Sequence, residues 1–254
     1  MGIRQGDLIK VQVPDQRRIF FAICAQLKIH IMSVTSEIKR LREELPEGVT
    51  LVAVSKTHPA EAIAEAYEAG QRIFGESRPQ ELKAKWESLP KDIEWHMIGH
   101  LQTNKVRMIA PFVSLIHSAD SARLLRTIHS EAVRVERVID VLLEVHISSE
   151  ESKEGWPPAE LDEWIASGEW RELTGVRIRG LMCVATNTDD AEVVRGDFRA
   201  MRSLLERYRD VFGPSFDTLS MGMSDDYADA IECGSTMVRI GSTIFGYRYY
   251  PPKV

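Results

Sequence analysis

Leu51-Val-Ala-Val-Ser-Lys56, followed at once by Thr57-His-Pro-Ala-Glu61, decides how this chain is read. The first part is an apolar run that predicts a buried strand, and the second carries the signals of a helix start. The junction puts a lysine amine at the carboxyl end of a core strand, beside the amino end of a helix. A buried amine loses part of its proton affinity and attacks aldehydes to form Schiff bases. A helix start favours an anion such as a phosphate. A phosphorylated aldehyde suits both features. On this segment alone, the simpler reading is a strand-end lysine that lays its stem on apolar surface and keeps its ammonium in water.

The rest of the chain repeats the pattern. Apolar runs of strand length fall at 49–55, 72–75, 93–98, 113–117, 138–147, 178–185, 216–221 and 237–240. Helical spacing lies between them. Ile63, Ala66 and Tyr67 share a face over 60–69, with Gly70 as the stop. Phe198, Met201, Leu204, Leu205 and Tyr208 do so over 191–211. A helix over 225–233 follows Ser224 as its N-cap and stops at Gly234. Strands alternating with helices in this way predict an α/β protein, a single (β/α)8 TIM barrel. An open doubly wound sheet is the rival, weakened because no Gly-x-Gly-x-x-Gly follows the first strand. Segment 19–45 predicts an extra N-terminal helix on the barrel. Residues 1–18 then form a loose extension, and 19–254 form one domain.

Composition sets outer limits. The 254 residues are 44% hydrophobic and 28% charged, as in ordinary soluble globular proteins. A net charge of −6 gives no reason to expect nucleic acid or an anionic membrane as partner. Cys24, Cys183 and Cys233 are odd in number and lack metal-ligand spacing, which fits a reducing, cytoplasmic setting. Arg17-Arg-Ile-Phe-Phe-Ala-Ile-Cys-Ala25 has a faint signal-peptide outline, but its apolar core is short and Lys28 and His30 follow directly. It is also too short to span a bilayer.

A barrel of this type carries function at the carboxyl ends of its strands, often with a phosphate site in the loops after strands seven and eight. Met221-Gly-Met-Ser224-Asp225 and Gly241-Ser242-Thr243 supply those loops. Ser224 reads equally as a plain N-cap, and the two methionines as core filling or an adaptable apolar wall. Arg239 interrupts a β-branched run between Val238 and Ile240 and is placed to face the lumen. A charge there must pair with a carboxylate or bind a ligand. The polar loop 148–158 follows the fifth strand on the same face. His96 reads as a satisfied core histidine; His100, Gln102 and Asn104 lie on the active face.

Six blocks then carry a resemblance: Val54-Ser-Lys-Thr57, Phe74-Gly-Glu-Ser-Arg-Pro-Gln-Glu81, Trp95-His-Met-Ile-Gly-His-Leu-Gln-Thr-Asn-Lys105, Gly180-Leu-Met182, Leu219-Ser-Met-Gly-Met-Ser-Asp225 and Val238-Arg-Ile-Gly-Ser-Thr-Ile-Phe-Gly246. In order, over about residues 30 to 250, they resemble the pyridoxal phosphate homeostasis proteins, a family related to the barrel domain of alanine racemase. The resemblance implies one barrel carrying pyridoxal 5′-phosphate. Lys56 matches the lysine bonded to the cofactor aldehyde, and Arg239 the arginine facing the pyridine nitrogen. Ser224, Gly241 and Ser242 match the phosphate cradle, and Met223 a residue lining it. Ser77 is a departure: the family commonly has Asn there, near the cofactor, followed by an aromatic.

The expected role is cofactor homeostasis: holding pyridoxal phosphate and limiting or delivering it, without robust catalysis. PLP-dependent apoenzymes are the expected recipients. The alternative is an amino-acid racemase, which needs a second base across the substrate carbon. No carboxyl-terminal domain is seen to supply that base, and the same lack points to a monomer. A cofactor-free aldolase-type barrel is a third reading, and it leaves Arg239 and the paired phosphate loops without a role.

Overall fold

The computed structural model describes residues 33–148 and 154–246. Helix α1 (Val34–Glu44) leads into β1 (Thr50–Val54), α2 (Ala60–Glu68), β2 (Ile73–Glu76), α3 (Pro79–Ser88) and β3 (Glu94–Met97). Next come α4 (Val106–Ile109), β4 (Leu115–Ala119), α5 (Ala122–Arg134), β5 (Ile139–Glu144), α6 (Pro158–Ser167) and β6 (Val176–Met182). The order ends with α7 (Ala191–Phe212), β7 (Thr218–Ser220), α8 (Tyr227–Glu232), β8 (Met237–Ile240) and α9 (Ser242–Phe245). The strands close into a parallel barrel in sequence order, and β8 returns to β1 with Val52 opposite Arg239. This is the expected (β/α)8 barrel. Of the segment 19–45, expected as a helix, only Val34–Glu44 is seen as one, α1, with Ser33 outside it; residues 19–32 and the extension 1–18 lie outside the described residues.

Alternation along each strand builds two cores. Leu51, Ala53, Phe74, Trp95, Val141, Leu143, Leu219, Val238 and Ile240 point outward and pack with the helices, including Ile38 and Leu41 of α1. Val52, Leu115, Leu142, Met182 and Met237 point inward and fill the lumen as a separate cluster. A β-bulge between β5 and β6 makes Arg179 an extra residue between Ile178, opposite Val141, and Gly180, opposite Leu142. Arg177 and Arg179 both reach Asp140, at 2.6 and 3.2 Å. A Cβ on Gly180 would lie 1.8 Å from the carbonyl oxygen of Thr218, so only glycine lets β6 and β7 approach this closely.

Several boundaries differ from the sequence reading. Strand β7 spans only Thr218–Ser220, and β5 ends at Glu144. Helix α2 starts at Ala60, where the helical spacing placed it, and the residues before it form a turn in which Thr57 takes the left-handed φ of 69°. Helix α8 starts at Tyr227, not at 225, with Asp226 in the N-cap position. Ser224 therefore does not cap it; its hydroxyl has another partner. The loop after β5 returns to the barrel through the Val145–Trp156 bridge, and the Trp156 indole N–H donates to the Ala119 carbonyl at 2.8 Å.

Glu144 stands at the carboxyl end of β5, 9% exposed, and its Oε2 has no hydrogen-bond partner among the described residues. Burial pushes its carboxyl up to about 7; Glu154 and Asp120 add to the rise and Arg239 opposes it.

Two predictions follow from this packing. Gly180→Ala should lower the unfolding free energy by about 3 kcal/mol in urea denaturation, because backbone must move to admit the methyl. Glu144→Gln tests the buried carboxyl. A raised folded-state pKa means that wild type loses stability as pH rises from the unfolded value towards 7 and above, while the amide is indifferent. The variant should therefore gain about 2 kcal/mol on wild type between pH 5 and pH 8.

Candidate functional site

One cavity of about 520 Å³ opens at the carboxyl ends of the strands. It is of the size proteins use for small ligands. Lys56, Ser77, Met223, Ser224, Arg239, Gly241 and Ser242 all line it. These residues come from four different strand ends, β1, β2, β7 and β8, and alternation explains the convergence. Arg239 and Gly241 share the inward register of Met237, and Lys56 that of Val52 and Val54.

Lys56 is half-buried and sits in the turn between β1 and α2. His58, two residues on, stacks on Phe245 of α9 with ring centroids 5.0 Å apart and lines the cavity too. Across the cavity, Ser224 reaches from the β7 loop to the next strand, its Oγ accepting the Gly241 N–H at 3.3 Å. This bond is what the sequence reading took for a helix cap. It ties together the two loops in which a barrel builds its anion sites. Among the described residues, no group accepts from the backbone N–H of Ser224, Asp225, Ser242 or Thr243. A Cβ on Gly241 would come within 3.1 Å of the Val54 carbonyl oxygen, so glycine keeps this loop tight on β1. Met223 is 40% exposed and forms wall, whereas Met221 is fully buried in the outer core. The two methionines thus split the two roles open to them. Ser77 lies on the wall.

Arg239 is 5% exposed, and no carboxylate among the described residues pairs with it. Its partners are uncharged: Nη1 donates to the Ser220 carbonyl at 2.8 Å and to Ser220 Oγ at 2.7 Å, and Nη2 to the Cys183 carbonyl at 2.8 Å. Three of five N–H groups are spent on the barrel, leaving donors for a ligand in the cavity that the residue lines. Burial pushes the guanidinium pKa down, and the fields of Cys183, Glu144 and Asp226 resist that.

Behind Arg239 runs a chain of polar groups that the sequence did not reveal. Ser220 Oγ lies 3.0 Å from His117 Nδ1, and His117 Nε2 lies 3.0 Å from His96 Nδ1. Arg239 can only donate, so Ser220 Oγ accepts from it, and the same hydroxyl is within hydrogen-bond reach of His117 Nδ1. Burial lowers the His96 pKa to about 3 and His117 well below its usual value, His96 and Arg239 adding to the latter. Both rings are neutral, so each contact in the chain uses one donor and one acceptor atom. His96 is the satisfied core histidine that was expected. His117 and Ser220 are 103 positions apart, and no local pattern pairs them.

His100 lies outside this cavity, with Nδ1 3.4 Å from Asp120 and 3.2 Å from Glu154. No group of three or more His, Cys, Asp or Glu side chains among the described residues is arranged to hold a metal ion. The donor set of the main cavity fits a different ligand. It offers a primary amine, a buried guanidinium with unspent N–H groups, and two loops of free backbone N–H. These match an aldehyde, a ring acceptor and a phosphate, the three recognition features of pyridoxal phosphate.

Comparison with known proteins agrees. Residues 29–249 match the family model for the alanine racemase N-terminal domain. The pyridoxal phosphate homeostasis protein of Vibrio alginolyticus is 38% identical over 234 residues, covering 89% of this chain and 99% of that protein. The protein of the same name from Escherichia coli strain K12 is 44% identical over 216 residues, covering 82% and 89%. The structure of PipY from Synechococcus elongatus with PLP bound superposes with a TM-score of 0.77 at 37% identity, covering 84% of this chain and all of that one. Alanine racemase from Streptomyces lavendulae shares the fold, with a TM-score of 0.68 at 18% identity. In both sequence and barrel geometry, this chain belongs to the family of pyridoxal phosphate homeostasis proteins, built on the barrel that alanine racemase uses as its N-terminal domain.

Proposed function

We propose that this protein binds pyridoxal 5′-phosphate in the barrel mouth and serves intracellular homeostasis of that cofactor, holding and releasing it without robust catalysis. The observation that carries the reading is the convergence of Lys56, Arg239 and the two tied loops on one cavity. When bound, the cofactor supplies an aldehyde that a primary amine can capture and release. Lys56 is the amine that would hold it covalently. Arg239 donates an N–H to the ring nitrogen and, being only a donor, keeps that nitrogen unprotonated. Ser224 and Ser242 would hold the phosphate through hydroxyl and free backbone N–H groups, Gly241 would tie the two loops into that cradle through its bond to Ser224 Oγ, Met223 would supply an apolar wall, and Ser77 lines the same cavity.

The names of the relatives support holding over turnover. The recipients that suit a lysine-held aldehyde are PLP-dependent apoenzymes, which present a lysine amine of their own. A reducing cytoplasm suits Cys183 and Cys233, which are free thiols. Among the described residues no helix is long and apolar enough to cross a membrane.

Protein incubated with pyridoxal phosphate should gain a visible absorbance band, and borohydride should fix the cofactor to the Lys56 peptide. Lys56→Ala should show neither. Arg239→Ala should shift the band while circular dichroism keeps the barrel signature. A wild-type preparation that stays colourless and unmodified at Lys56 overturns the proposal. Formation of D-amino acid from an L-amino acid above about 1 per second, an ordinary enzyme rate, would favour a racemase instead.

A further inference from the structure

Lys56 sits in a turn outside regular structure, since β1 ends at Val54 and α2 begins at Ala60. Both of its neighbours are nevertheless held, and by one buried cluster. On the strand side, Ser55 Oγ donates to Glu76 Oε1 at 2.6 Å, and the Ser55 carbonyl accepts from Lys85 Nζ at 2.8 Å. On the helix side, the Thr57 N–H donates to Glu81 Oε1 at 2.6 Å. Lys85 joins the two halves, donating to Glu76 Oε1 and to Glu81 Oε1 at 2.7 Å each. An ammonium has three N–H groups, and all three are spent here.

The geometry of this cluster is specific to the turn. Glu81 and Lys85 lie one helical turn apart on α3, so they face the same way. Ser55 and Glu76 are fully buried, and the Lys85 side chain is 9% exposed. Thr57 has a φ of 69°, and a β-branched residue in that region is strained. Such a conformation persists only where surrounding contacts over-determine it. The Glu81 bond is one such contact, beside the His58 N–H to Ser55 carbonyl bond of 3.1 Å that closes the turn. Burial pushes the Glu81 carboxyl up, but the bonds from Lys85 and Thr57 outweigh it and the pKa falls, so Glu81 is the charged member. Glu76, pushed up to about 7 by burial against the pull of Lys85, completes the cluster.

We propose that Glu81 and Lys85, with Glu76, are positioning residues for Lys56: they fix Ser55 and Thr57 on either side so that the lysine amine is presented to the cavity in one orientation. This rests on the reading of Lys56 as the residue that bonds the cofactor. None of the three lines the cavity, so they act through the backbone and not on the ligand. The chain segment 74–81, prominent in the sequence, thereby acquires a physical role: its two glutamates reach over to the neighbouring strand end.

A mere staple of the fold would affect stability and leave Lys56 reactivity unchanged in folded protein. A positioning device changes that reactivity well below the unfolding midpoint. The experiment compares wild type, Glu81→Gln, Glu81→Asp and Glu81→Ala, each shown folded by circular dichroism. Gln keeps an acceptor for Thr57 and Lys85; Ala removes it; Asp withdraws it by one methylene and is the milder variant should Ala fail to fold. Two readouts are taken by peptide mass spectrometry. One is the rate of borohydride-trapped pyridoxal phosphate at Lys56. The other, independent of cofactor, is trace acetylation of Lys56 relative to the exposed Lys83 in cofactor-free protein. Glu81→Ala, or Asp in its place, should slow trapping about tenfold or more and change the Lys56 acetylation ratio, since small misplacements of a reacting group carry penalties of up to about a hundredfold. Glu81→Gln should stay within about threefold of wild type on the same grounds. Folded Glu81→Ala or Asp protein with wild-type values in both readouts overturns the inference. If wild type itself is not trapped at Lys56, the proposed cofactor role fails, and the acetylation ratio alone decides whether the cluster orients the lysine.

Discussion

Arg239 places a guanidinium inside the lumen of a closed barrel, where an unpaired charge is costly by several kcal/mol. No carboxylate among the described residues forms an ion pair with it, although the fields of Glu144 and Asp226 favour its charge. The barrel instead supplies oxygen acceptors from two neighbouring strand ends, Ser220 and the Cys183 carbonyl. That choice has consequences in both directions. Behind the arginine, Ser220 Oγ links it to the buried pair His117 and His96, whose rings burial keeps neutral. In front, the guanidinium retains unspent N–H groups beside a cavity that Lys56 also lines. A carboxylate partner would have neutralised the arginine and left nothing for a ligand. Its absence is the reason the site reads as one built for an acceptor-bearing anion.

Two tethers turn that cavity into a defined site. The Ser224–Gly241 bond ties the loops after β7 and β8 into one surface, with free backbone N–H groups on either side of the tie. The Ser55–Glu76–Lys85–Glu81–Thr57 cluster holds the turn that bears Lys56. The first tether runs between adjacent strand ends inside the mouth. The second lies under the rim, in the space between β1, β2 and α3. Glycines allow the close approaches that both barrel and site need, at Gly180 against Thr218 and at Gly241 against Val54.

The fold was legible in the sequence because it rests on local periodicity. Strand runs such as 49–55 and 237–240 alternate with helical stretches such as 191–211, and the barrel follows. Lys56, Arg239 and the Ser224 and Gly241-Ser242 loops were legible for the same reason, since alternation places strand-end residues by counting. What counting missed depends on contacts between distant segments. His117 and Ser220 are brought together only when the barrel closes, as are Ser55 and Lys85. The N-cap reading of Ser224 fails because a serine before a helical pattern has the signature of a cap; the helix begins at Tyr227, and the hydroxyl accepts from Gly241 instead. Bulges between β4 and β5 and between β5 and β6 shift register by amounts that no run of apolar residues records.

The most direct test of the account is a crystal structure of the protein incubated with pyridoxal phosphate and reduced with borohydride. The account predicts continuous density from Lys56 Nζ to the cofactor, with the ring nitrogen against Arg239 and the phosphate between the Ser224 loop and Gly241-Ser242. A bare Lys56 amine, or cofactor density bound elsewhere on the barrel, would contradict it.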